Sequence, residues 1–286
     1  MIRLPTLLFS VVAISLTPGI ISAGIDAGSI PVKSALEVSS TKLTHGGIFV
    51  AKVFDKEAKR IKIKSSVFPL FLGKNGDMSG VIVGVPSWWD NGAIYEVVLD
   101  GKPTGTKLEI TGRVAEKETL TIEKSKLETN EETGKQYKVL SGVITSFVEE
   151  KYWSGKFILP VESRISTGYG TGRTVNGATG GIHRGVDIAA NEGVEVKATN
   201  DGLVTLSRKH FSTGNTIVIN HGTGIVSVYY HMSELIAKEN SKVIKGDVIG
   251  KVGSTGVSTG AHLHWGIWIF GVDVDPLELA ATDWEY

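Results

Sequence analysis

The segment His183-Arg-Gly-Val-Asp187 places an imidazole and a carboxylate four residues apart. On an extended segment, positions i and i+4 face the same side, and Gly185 between them lets the backbone bend to aim both groups. Further along, His262-Leu-His264 predicts two imidazoles on one face of a strand, roughly 6.5–7 Å apart, with Leu263 turned into a core behind them. His231 closes a strand-like run through Tyr229 and Tyr230. Imidazole nitrogen and carboxylate oxygen are zinc ligands, and a catalytic zinc keeps one coordination position for water. His183, Asp187 and one histidine of the 262/264 pair make a three-ligand set; the other histidine and His231 then flank the open position. That layout suits water activated by a metal for attack on a carbonyl, with neighbouring imidazoles taking its proton and binding the developing oxyanion. Spacing alone leaves open which histidine of the pair binds the metal.

Composition narrows the alternatives. Six of the seven histidines lie from His183 onward. With no cysteine in 286 residues, thiol catalysis, zinc–thiolate sites and iron–sulfur clusters are excluded. Thirty basic residues balance thirty acidic ones, so no overall basic field favours nucleic acid as a partner. The 35 glycines amount to about 12%, against about 7% in ordinary chains, and predict many tight turns between short strands.

The elements that must position these groups divide the chain into four parts. Residues 1–23 carry Arg3, the apolar run Leu7 to Leu16 and a small-residue end at Ala23, the pattern of a cleavable secretory signal. The run falls short of the ~20 residues that span a bilayer, so no stable membrane span is expected once the signal is removed. Residues 24–114 alternate in short runs such as Ile61-Lys-Ile-Lys-Ser-Ser-Val67, with hairpin-type turn residues at Asn75-Gly76 and Asp100-Gly101, which predicts a small β-sandwich-like domain. Trp88 and Trp89 read as a packing pair rather than a ligand platform. Residues 115–152 are charged and of mixed sign, which predicts a solvated connector with a weak strand pair at Leu120–Ile122 and Tyr137–Leu140. Residues 153–286 return to β-branched runs bounded by glycines, with helical periodicity only near His231 to Lys238, and predict a compact antiparallel domain. Gly168-Tyr-Gly170-Thr-Gly172 lacks the spacing of a dinucleotide fingerprint. Of the remaining histidines, His221 is expected to be a strand-end turn residue, and His210 and His45 are expected to be exposed. Tyr229 and Tyr230 suit strand packing and substrate contact equally.

In its motifs the chain resembles the lysostaphin-type, or LytM-type, zinc metallopeptidases that cut peptidoglycan peptides. The resemblance covers about residues 153–278. It is carried by Trp153-Ser-Gly-Lys-Phe-Ile-Leu-Pro160, Gly170-Thr-Gly-Arg173, His183-Arg-Gly-Val-Asp-Ile-Ala-Ala190, Tyr230-His-Met-Ser233, Lys245-Gly-Asp-Val-Ile-Gly250 and Ser258-Thr-Gly-Ala-His-Leu-His264. Met232, Ala261 and Trp265 depart from the usual pattern, and none of them removes a ligand. The resemblance implies an all-β-dominated fold, with a β-rich N-terminal domain before a glycine-rich catalytic domain of the lysostaphin type. It further implies one Zn2+ per catalytic domain held by His183, Asp187 and His264, with His231 and His262 as catalytic histidines and Arg173 near the cleft.

The resemblance and the signal-like N-terminus together predict an exported hydrolase of the periplasm or cell envelope that cuts cross-links or stem peptides of peptidoglycan. A non-catalytic regulator that binds the wall or activates an amidase is the competing class, and the complete ligand set counts against it. A carbohydrate-binding module with an incidental metal is a second competitor. Residues 32–150 precede the catalytic domain and are expected to contact its cleft, either restraining activity or positioning the enzyme.

Overall fold

The computed structural model describes residues 36–284 except 74, 75, 115 and 129. The expected signal at 1–23 and Asn75 of the Asn75-Gly76 turn lie outside the described residues. Period-2 burial marks the N-terminal strands: in Arg60–Ile63, Ile61 and Ile63 are fully buried while Arg60 and Lys62 face solvent. The strands form two sheets. One orders Leu36–Val38, Ile48–Val53, Ser79–Gly84 and Phe71–Leu72; the other orders Lys42–Thr44, Lys102–Thr111, Ile94–Leu99, Arg60–Ile63 and Ser66–Pro69. Asp100 and Gly101 both adopt positive φ (43° and 85°), the requirement of a two-residue hairpin whose twist matches its strands. The tryptophan pair divides. Trp89 is buried and edge-on to Tyr95, whereas Trp88 is 61% exposed.

The connector is less solvated than its charge suggests. Lys117–Leu120 forms strand β1, and Glu131–Ile144 forms helix α1 instead of the second strand expected around Tyr137–Leu140. The helix prevails because Asn130 and Thr133 make a reciprocal capping box, and Glu131 and Glu132 sit in the positive first turn. Thr133, Leu140 and Ile144 share its buried face, and Leu140 and Ile144 pack on Val228, Tyr230 and Trp268. Weak alternation over four residues carried less weight than a cap and an apolar stripe at helical spacing.

In the C-terminal half, β2 (Ile165–Thr167), β3 (Gly172–Val175), β4 (Ala178–Ile182), β5 (Val186–Ala189), β6 (Gly202–His210), β7 (Gly214–Gly222), β8 (Ile225–Met232) and β9 (His262–Ile269) supply the main framework. The principal sheet runs β2-β5-β9-β8-β7-β6 with antiparallel neighbours. A second sheet pairs β3 with β4, and β1 joins it in parallel alongside β3. The helical pattern near His231 to Lys238 is overridden. Glu234–Leu235 is a strand on Val248–Lys251, and Ile236 and Ala237 both donate to the Ile249 carbonyl. The N-terminal half also packs against the C-terminal end of the chain: Arg113 Nη1 meets Asp275 Oδ2 at 2.9 Å, and Ile48 N donates to Glu278 Oε1 at 3.0 Å. Among the described residues, no helix is long and apolar enough to cross a membrane.

Three histidines differ from the sequence expectation. His45 is half-buried with Nε2 at 2.8 Å from the Trp89 carbonyl, and His210 is buried beside Gln136 and Tyr137 of α1. His221 ends β7 as expected, yet it is fully buried between the Asp201 carbonyl (2.7 Å) and Ser227 Oγ (2.8 Å). Burial pushes its pKa from 6.5 down to about 4, so the fold keeps it neutral while the unfolded chain protonates it sooner. A depressed imidazole pKa contributes stability that is complete above pH 6.5 and lost as pH falls toward 4. The urea midpoint should therefore drop between about pH 7 and about pH 4.5, and His221→Gln should flatten that drop. An unchanged slope in the variant would remove His221 as a cause.

Candidate metal centre

The strand register assembles the site. Asp187 on β5 stands directly opposite His264 on β9 and, on its other side, opposite Thr167 on β2. His264 in turn faces Tyr230 on β8, whose ring stacks on the imidazole at 5.0 Å with an interplanar angle of 6°. His183 lies in the turn between β4 and β5. His183 Nε2, Asp187 Oδ1 and His264 Nδ1 converge into a nearly equilateral triangle with edges of 3.0, 2.9 and 2.9 Å. All three residues are buried.

This donor set fits a metal. Three buried acceptor-type atoms at mutual distances of 2.9–3.0 Å leave an apex from which an ion reaches all three at about 2.0–2.1 Å, the zinc range for nitrogen and oxygen. The tautomer required of His183 is set by a backbone acceptor: its Nδ1 donates to the Gly168 carbonyl at 2.9 Å, which leaves Nε2 unprotonated.

The same device recurs in the two remaining histidines. His231 Nδ1 donates to the Thr255 carbonyl and His262 Nδ1 to the Gly260 carbonyl, each at 2.8 Å, which leaves both Nε2 atoms as acceptors. The two rings lie 4.9 Å apart, and His262 Nε2 is 3.8 Å from Asp187 Oδ1. His262 and His264 share a strand face as i and i+2, with Leu263 fully buried behind them. Strict alternation along β8 would send His231 to the face opposite Tyr230. Instead His231 adopts φ +64°, a left-handed conformation unusual outside glycine, next to a register irregularity against β7. That local twist brings its ring to His262 and His264.

Electrostatics keep His231 and His264 neutral. Burial pushes His231 down to about 3, and the neighbouring His262 and His264 rings further oppose its protonation. Burial also pushes His264 down to about 4, against the opposing pull of Asp187. For Asp187, burial raises the pKa, but the adjoining His183 and His264 outweigh it and hold the carboxyl well below the usual carboxylate range. A neutral imidazole beside a carboxylate anion is the protonation state a metal requires of such ligands.

Five of the candidate residues named from sequence thus meet in one place, and Arg173 joins them: its Nη2 donates to Asp187 Oδ2 at 2.9 Å. Tyr229 is buried strand packing. The sequence places Leu120 and Ile122 on a weak connector strand and does not mark them, or Glu118, as site residues. These alternate residues on and just beyond β1 line a groove of about 290 Å³ together with Arg173, Asp187, His231 and His262. The opposite wall is the loop 257–261, and Lys126 Nζ reaches its Ser258 carbonyl at 3.2 Å. Connector residues Glu118, Leu120 and Ile122 thus form part of the groove's lining. The period-2 spacing of Glu118, Leu120 and Ile122 was the available signal, and the surrounding mixed charge obscured it.

Gly185 has a steric role beyond bending the chain. A Cβ there would lie 2.6 Å from the Trp265 carbonyl oxygen and 2.7 Å from His264 Nε2. Gly185→Ala should displace the His264 ring and weaken Zn2+ binding by about tenfold or more, measured by chelator competition. Its stability cost should be about 1–3 kcal/mol. Unaltered zinc affinity would show that His264 tolerates the methyl group.

Residues 181–276 match the family model of peptidase family M23. The DD-carboxypeptidase/endopeptidase Mpg of Neisseria meningitidis serogroup B is 39% identical over 120 residues, covering 42% of this chain and 28% of that relative. The peptidoglycan DD-endopeptidase ShyA of Vibrio cholerae serotype O1 is 38% identical over 96 residues, covering 34% of this chain and 22% of that relative. The chain thus spans between about a fifth and a little over a quarter of these relatives' length. A peptidase M23 structure from Pseudomonas aeruginosa superposes with a TM-score of 0.63 at 23% identity, covering 84% of this chain and 95% of that one. The shared fold therefore extends well beyond residues 181–276.

Proposed function

We propose that this chain, whose residues 181–276 form a peptidase family M23 domain, is an exported zinc endopeptidase acting on peptide cross-links or stem peptides of peptidoglycan in the periplasm or cell envelope. The single observation that carries this reading is the triangle of His183 Nε2, Asp187 Oδ1 and His264 Nδ1 beside two further imidazoles whose Nε2 atoms are acceptors. The peptidoglycan DD-endopeptidase ShyA and the DD-carboxypeptidase/endopeptidase Mpg among the relatives support the substrate class. The apolar run Leu7–Leu16 supports export.

Zinc, when bound, supplies a Lewis acid that polarises the scissile carbonyl and brings the pKa of a water to about 7. The residues of the chain do the rest. His183, Asp187 and His264 hold the ion. His231 and His262 accept the water's proton at Nε2, because their Nδ1 protons are committed to Thr255 and Gly260. Once protonated, either Nε2 becomes a donor, able to bind the developing oxyanion or return the proton to the leaving amine. The groove between β1 and the loop 257–261 receives the extended peptide, and the β1 wall supports a positioning role for the connector. A regulator that only binds the wall has no use for two oriented proton acceptors beside a metal triangle.

His264→Ala and Asp187→Ala should lose zinc and activity together. His231→Ala and His262→Ala should keep zinc and lose activity by about 10²–10⁴-fold. Zinc content by elemental analysis and mass spectrometry of peptidoglycan digests check both. Loss of zinc from His262→Ala would overturn the ligand assignment, and intact cross-links after wild-type digestion would overturn the enzymatic reading.

A further inference from the structure

We infer that Glu118 and Arg173 are positioning residues for Asp187, acting in series: Glu118 orients Arg173, and Arg173 holds Asp187 Oδ2 so that Oδ1 alone faces the metal. The inference rests on the zinc reading above and extends it to two residues outside the matched segment 181–276.

Arg173 spans the two carboxylates. Its Nε donates to Glu118 Oε1 at 2.5 Å and its Nη2 to Asp187 Oδ2 at 2.9 Å. Glu118 is directly opposite Arg173 in the parallel β1–β3 pairing, so backbone register holds the two side chains together. The second Glu118 oxygen, Oε2, accepts from Thr167 Oγ1 at 3.3 Å, and Thr167 is itself the cross-strand partner of Asp187. The four residues close a ring running Asp187–Arg173–Glu118–Thr167 and back across β2 to Asp187. Side-chain exposures of 24% for Arg173, 23% for Glu118 and 11% for Asp187 keep these contacts largely out of water, where charge-assisted bonds are strongest.

The chemistry explains why two residues are needed. A guanidinium alone on Asp187 would fix its rotamer but draw electron density from the ligand oxygen. A second carboxylate on the far side of the guanidinium compensates that charge, so the triad keeps a net charge of −1 at the metal side. Arginine's planar fork meets both carboxylates at once, which a lysine ammonium cannot do with the same geometry. Outer partners of metal ligands act in this manner, and their loss typically costs about 10–100-fold in metal affinity.

The test uses the full chain freed of metal, with Zn2+ affinity read by competition with a chromophoric chelator and folding checked by circular dichroism. Arg173→Ala should weaken zinc binding by about 10–100-fold, and Arg173→Lys should recover only part of the loss. Glu118→Ala should weaken binding in the wild-type background yet add nothing in the Arg173→Ala background, because its effect passes through Arg173. Glu118→Gln, which keeps shape but drops the charge, provides the same comparison should Glu118→Ala misfold. Zinc affinities within about twofold of wild type for Arg173→Ala, or losses from Glu118 and Arg173 that add independently, would overturn the serial role. Asp187→Ala separates the two levels. If that variant keeps full zinc affinity, the metal reading itself fails; if it loses zinc while Arg173→Ala does not, only the positioning role fails.

Discussion

Asp187 and His264 stand opposite each other on neighbouring antiparallel strands, and the site depends on that register. A slip of one residue would turn every side chain of one strand to the other face. His264 would then point into the core where Leu263 and Trp265 are fully buried, and the triangle with His183 would not form. The apolar core therefore sets the metal geometry. Leu263, Trp265 and Ile267 on β9 and Val186 and Ile188 on β5 are all fully buried, and each resists a shift in register.

Given that register, the remaining orientation is supplied by backbone carbonyls. Gly168, Thr255 and Gly260 each take an Nδ1 proton, so three imidazoles keep Nε2 as an acceptor. His264 differs, offering Nδ1 while Tyr230 stacks on its ring. Two acceptors, Gly168 and Gly260, are glycine carbonyls in loops, where the chain approaches an imidazole closely. The glycine excess thus has a specific use here, and Gly185, with no room for a Cβ against His264, is its strictest case.

The connector joins the two halves of the chain to the site. Its helix α1 covers the sheet face that carries Tyr230 and Trp268, while β1 extends the β3–β4 sheet and walls the groove. A segment whose composition reads as a solvated bridge thus buries Ile122, Thr133, Leu140 and Ile144, and two of its charges have particular partners: Glu118 at Arg173, Lys126 at the Ser258 carbonyl.

The sequence by itself determined the donor types and the strand alternation: His-x-His with an apolar residue between, and the His183–Asp187 spacing. Both are local properties, because a strand repeats every two residues whatever surrounds it. The lack of cysteine likewise left nitrogen and oxygen as the donors. Spacing did not decide between His262 and His264, and the resemblance to the lysostaphin type was needed to choose. The left-handed turn at His231, the helix over Tyr137–Leu140, the burial of His210 and His221, and the reach of Glu118 to Arg173 were decided by tertiary structure. Each depends on partners distant in the chain or on a cap that outweighs local alternation, and no pattern within a short window encodes such contacts.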